Sequence, residues 1–75
     1  MEFNKEITKL TVEKLKDTAE YLKSYGDKTA HVYATELAEN LEFAMEILEK
    51  QEARAIYKLW KDALNNAVDF LQPAE

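Results

Sequence analysis

"ILEKQEARAI", Ile47 to Ile56, is the stretch whose reading decides the fold. Every residue in it is a fair or good helix former, and none is Gly, Pro, Asn, Asp or Ser. Composition alone would carry one helix straight through. The apolar rhythm on its two sides does not agree with that. Before it, Ala30, Ala34, Leu37, Leu41, Ala44 and Leu48 keep a four-three spacing, and after it Ala53, Tyr57, Trp60, Leu64, Ala67 and Leu71 keep the same spacing. Extending the first series past Leu48 lands on Gln51, Ala55, Lys58 and Asp62, which cannot form a core seam. The stripe has slipped by roughly 100°, one residue of helical rotation.

Two architectures compete for that slip. A tight turn near Glu49 to Glu52 resets the phase and gives an all-α, three-helix up-down-up bundle with helices of about 21, 22 and 21 residues. An unbroken helix from Lys28 to Leu71 would run ~66 Å and would need a partner chain, as a long helical hairpin dimerising into a four-helix or larger bundle. The phase slip and the shortness of ordinary globular helices favour the bundle. The expected helices span about residues 4–25, 28–49 and 52–72 of a single helical domain covering 1–75.

Outward from this stretch, "SYGDKT" (Ser24 to Thr29) carries the clearest punctuation. Gly26 suits the left-handed position that ends a helix, and Asp27 or Thr29 suits the cap of the next. The first helix has two candidate caps, Asn4 and Thr11. Asn4 is favoured because Ile7 and Leu10 already share a face. In that helix Val12, Leu15, Ala19 and Leu22 form one apolar strip and Phe3, Ile7, Leu10, Tyr21 and Tyr25 an adjacent one, so it is expected to touch two neighbours. The expected core is Val12, Leu15, Leu22, Leu37, Leu41, Leu48, Ile56, Trp60, Leu64 and Leu71.

Composition sets the outer limits. A hydrophobic content of 47% is too high for a disordered chain, and a single Gly and a single Pro are too few for a β-rich one. There is no cysteine to staple so small a domain, and one histidine cannot build a His-rich metal site. No apolar run approaches the ~20 residues of a membrane span, and "MEFNKEITKL" has no apolar leader core, so a soluble cytoplasmic protein without membrane contact is expected.

The net charge of −5 is unevenly placed. Residues 1–28 hold six basic and six acidic side chains and residues 50–75 hold four of each, so the whole excess falls in 29–49, on Glu36, Glu39, Glu42, Glu46 and Glu49. On a helical wheel these form an acidic ridge opposite the leucine seam. Phe43 lies on the ridge side, ringed by Glu36, Glu39 and Glu46. An aromatic residue with a charged rim is the pattern of an interface hot spot. Like charges at these spacings cost a helix a few tenths of a kcal/mol each, so an unbroken glutamate run suggests a surface shaped for a basic partner. Lys50, Arg54, Lys58 and Lys61 form an opposing basic ridge.

Catalysis has little material. His31 has no Ser, Cys or Asp at triad-like spacing, Gly26 alone makes no phosphate loop, and the Glu36–Glu39, Glu39–Glu42 and Glu49–Glu52 pairs point away from the core seam. No enzyme, no cofactor and no metal are expected. Direct nucleic-acid binding is disfavoured by the acidic balance and the lack of a base-reading helix frame. The expectation is a small acidic, non-enzymatic protein-binding or regulatory module acting through Glu36, Glu39, Phe43 and Glu46 on another protein with a basic surface. Two alternatives stand beside it. One is a structural homo-oligomer, a homodimer foremost, joined by the strips Phe3–Ile7–Tyr21–Tyr25 and Val32–Phe43. The other is a DNA-mimicking inhibitor of a nucleic-acid-binding protein.

Overall fold

Asn4 opens the first helix: its backbone is extended, and its side-chain oxygen accepts the Ile7 N–H at 3.0 Å. In the computed structural model, which describes residues 2–72, helix α1 runs Lys5–Tyr25, α2 Lys28–Lys50 and α3 Arg54–Leu71. Glu6 in the first turn of α1 and Lys23 in its last complement the helix dipole.

The α1–α2 connection is made by local chemistry. Gly26 sits at φ 98°, and its N–H donates to Lys23 O at 3.2 Å and to Leu22 O at 3.0 Å, while the Asp27 N–H reaches Leu22 O at 3.0 Å. This is the Schellman arrangement, which satisfies carbonyls that the helix end would otherwise leave open. Asp27 then caps α2, its carboxylate accepting the Ala30 N–H at 3.0 Å. Of the two caps offered by the sequence, Asp27 is the one used.

The α2–α3 connection is different in kind. The chain does turn within "ILEKQEARAI". Gln51 (φ −160°, ψ 154°) and Ala53 (φ −142°, ψ 113°) are extended, a region open to any residue, so no Gly or Pro is required. Ala53 provides no side-chain cap, and the first turn of α3 holds no acidic residue. The break falls one to two residues later than the sequence suggests, at 51–53. The longest dimension of the molecule is 39 Å, far short of the ~66 Å of a continuous second helix.

All three helices contribute to one buried cluster. Trp60, Leu15, Leu41 and Thr8 are its largest fully buried side chains. Ala34, Ala38, Ala44, Ala63 and Ala67 are buried between them, and such small residues let helix axes approach closely. Leu22, Leu48, Ile56 and Leu71, expected in the core, are half-buried and lie near helix ends. Thr8 and Thr11, absent from that expectation, are buried with their hydroxyls bonded to the Asn4 and Ile7 carbonyls at 2.6 and 2.8 Å. Phe3 is not part of an outer strip: its ring meets Trp60 edge-on at 5.3 Å. Tyr33 and Phe70, also 5.3 Å apart and edge-to-face, close the α2–α3 contact. The α1–α2 pair packs most extensively and α1–α3 least, which leaves a groove between α1 and the C-terminal turns of α3.

Candidate partner-binding surface

The site expected on α2 is set by the two helices that α2 packs against. Its buried positions, Ala34, Leu37, Ala38, Leu41 and Ala44, face α1 and α3. The 100° rotation per residue therefore turns Val32, Glu36, Glu39, Phe43 and Glu46 to the outside. All five are exposed, and Phe43 keeps 53% of its surface in solvent. Phe43 follows Glu39 by four residues and Glu36 by seven, and precedes Glu46 by three, so the ring has carboxylates one turn away on both sides.

The five glutamates do not form a single ridge. Glu42 and Glu49 lie on the flank of α2 that meets α1, and both are paired there. Lys16 Nζ stands 3.2 Å from Glu42 Oε1 and 3.3 Å from Oε2, and Lys5 Nζ stands 3.0 Å from Glu49 Oε1. Glu36, Glu39 and Glu46 take part in no ion pair among the described residues. The acidic excess thus divides by environment: two carboxylates join helices, and three lie within two turns of an exposed aromatic ring. The basic ridge is likewise cut by the turn, with Lys50 ending α2 and Arg54, Lys58 and Lys61 on α3, all exposed.

His31 is a clasp between helices. Its Nδ1 lies 2.7 Å from the Ala19 carbonyl oxygen, an atom that can only accept, so Nδ1 carries the proton and donates it. The bond ties the first turn of α2 to the C-terminal part of α1. Among the described residues, no three His, Cys, Asp or Glu side chains converge as a metal site would require. A concavity of about 540 Å³ lies beside the α2–α3 connection, with Phe3, Leu48 and Tyr57 in its wall and Glu2, Glu52 and Arg54 around it. It opens broadly to solvent. Among the described residues no helix is long and apolar enough to cross a membrane.

Sequence reasoning left out Thr8. Its hydroxyl accepts the Trp60 indole N–H at 2.8 Å while donating to Asn4 O, so the one buried indole finds its acceptor inside the core. The signal was present in outline, since a Trp on a core seam needs an acceptor and Thr8 lies one turn before Thr11 and Val12. No protein family, curated protein or solved structure matches the chain.

Proposed function

We propose that the chain is a non-enzymatic protein-binding or regulatory module, and that the outer face of α2 docks Phe43 into an apolar recess bordered by basic side chains on another protein. One observation carries this reading: Phe43 stands half exposed among Glu36, Glu39 and Glu46, whose carboxylates have no internal partner among the described residues, whereas Glu42 and Glu49 do. Three like charges held on one face gain nothing for the bundle, and they would steer a basic surface toward the ring. The same division favours a protein over mimicry of DNA, because three outward carboxylates present a shorter acidic track than five.

The test is site-specific photo-crosslinking from Asn40, which is exposed and lies three residues before Phe43. A crosslink formed in cell extract at low salt should be lost in Phe43→Ala and Glu39→Lys. It should also fade as salt rises toward ~1 M, where the screening length falls to ~3 Å. A crosslink that forms equally with Phe43→Ala, or that ignores salt, would remove this face from consideration.

A further inference from the structure

The largest exposed apolar side chains of α1 lie on a single stripe. Ile7, Leu10 and Tyr21 are 46%, 57% and 65% exposed, and Tyr25, at 77%, is the most exposed of them. Lys14 and Asp17 complete the stripe, both exposed and neither in an ion pair among the described residues. The run Ile7, Leu10, Lys14, Asp17, Tyr21 steps by three, four, three and four, the rhythm of a helix that packs along another helix. Among the described residues no helix covers it. The groove between α1 and α3, bordered by Lys14, Thr18, Val68 and Leu71, runs along its edge.

The order of residues on that stripe is palindromic in chemistry. Leu10 and Tyr21, and Lys14 and Asp17, are symmetric about one point, between Leu15 and Lys16, and Ile7 and Tyr25 are symmetric about a point half a residue away, at Lys16. A second copy of α1 laid antiparallel across that point therefore sets Leu10 against Tyr21 and Lys14 against Asp17, with Tyr25 one residue, about 1.5 Å, from the position opposite Ile7, and each contact occurs twice. A parallel copy would set Lys14 against Lys14 and Asp17 against Asp17. We infer that this face is an isologous, antiparallel self-interface, with a second copy of the chain as its occupant. Charge singles out that occupant. Residues 1–28 carry balanced charge, so the face can meet itself, while the outer face of α2 would bring Glu36, Glu39 and Glu46 against like charges. Small aliphatic groups facing tyrosine rings give the contact its apolar part. The central Lys14–Asp17 pairs fix orientation at some expense in affinity, as polar residues within a helix seam do. The inference is independent of any partner on α2.

Sedimentation equilibrium of the full chain, at loads from ~10 μM to ~1 mM, tests it over the affinities of a small interface. The mass should rise from 8.7 kDa toward twice that value and stop there. Lys14→Asp and Asp17→Lys should each hold the chain monomeric, and circular dichroism should show both folded, since both side chains are exposed. Mixing the two variants in equal amounts should restore the dimer, because each then supplies the charge the other lacks. The double variant K14D/D17K should dimerise by itself. Phe43→Ala should have no effect. A wild type that stays monomeric throughout, single variants that still dimerise, or a mixture that fails to recover would each overturn the inference. So would a mass climbing past two chains, which would point to open-ended contact between the acidic face of α2 and Arg54, Lys58 and Lys61 of α3.

Discussion

Trp60 and Thr8, fifty-two residues apart, share a buried hydrogen bond of 2.8 Å that fastens α3 to α1. Because α1 and α3 pack least among the three pairs, this bond and the Phe3 ring against the indole carry much of that contact. Thr8→Val keeps the shape and removes the acceptor, leaving a buried N–H unsatisfied. The expected loss is ~1–3 kcal/mol. In a domain this size each kcal/mol moves the melting temperature by ~4–8 °C. Trp60→Phe removes the donor, and the double variant should lose less than the sum of the two. A Thr8→Val protein that melts with the wild type would show that the bond has no net value.

Phe43 and Leu41 stand two residues apart and should respond in opposite ways. Leu41 is fully buried, and Leu41→Ala should cost ~2–5 kcal/mol. Phe43 is half exposed, and Phe43→Ala should stay within ~0.5 kcal/mol of the wild type. Urea unfolding of both variants checks this directly. A large loss at Phe43 would make it a packing residue and remove the basis for a hot spot.

Gly26 is the one described residue at positive φ, and a Cβ built there meets nothing within 4 Å. The penalty of Gly26→Ala is therefore backbone strain alone, ~1–2 kcal/mol. Gly26→Asn should lose less, because asparagine tolerates the left-handed region. Equal stability of all three proteins would mean that the turn can relax to another geometry.

Ala53 begins α3 without a side-chain cap, so an improvement is available there. Ala53→Asp should add ~0.5–2 kcal/mol by accepting an N–H of the first turn and by placing a negative charge at the positive end of the helix dipole. Thermal melts would show it, and the gain should shrink as pH falls through the carboxylate range and the charge is lost.

Much of this arrangement was legible in the residues, for reasons that differ from place to place. Gly26 and Asp27 act through bonds to neighbours a few positions away, so the α1–α2 turn could be read from local chemistry. Asn4 as the first cap followed from Ile7 and Leu10 sharing a face. The α2–α3 turn has no such residues, and only the slip between the Leu48 and Trp60 seams revealed it. Its position was therefore read to within two residues and no better. The alanines of the core were visible as members of a stripe, but periodicity does not say where axes come closest, so Leu22, Leu48, Ile56 and Leu71 were given more weight than their places near helix ends allow. For the candidate surface, the outward direction of Glu36, Glu39, Phe43 and Glu46 was readable from rotation alone. That Glu42 and Glu49 would instead meet Lys16 and Lys5 depends on which neighbour borders the flank of α2, a property of the packing.

The contrast between the two connections sets an order of assembly. The turn at Gly26 and Asp27 is specified by bonds spanning at most five residues, so the α1–α2 hairpin can close early in folding. The extended residues at 51–53 have no side-chain cap or glycine of their own, and α3 is held by long-range contacts, those of Trp60 with Phe3 and Thr8. An α1–α2 hairpin that closes before α3 docks predicts that changes at Trp60 accelerate unfolding while leaving the folding rate nearly untouched, which stopped-flow kinetics would check.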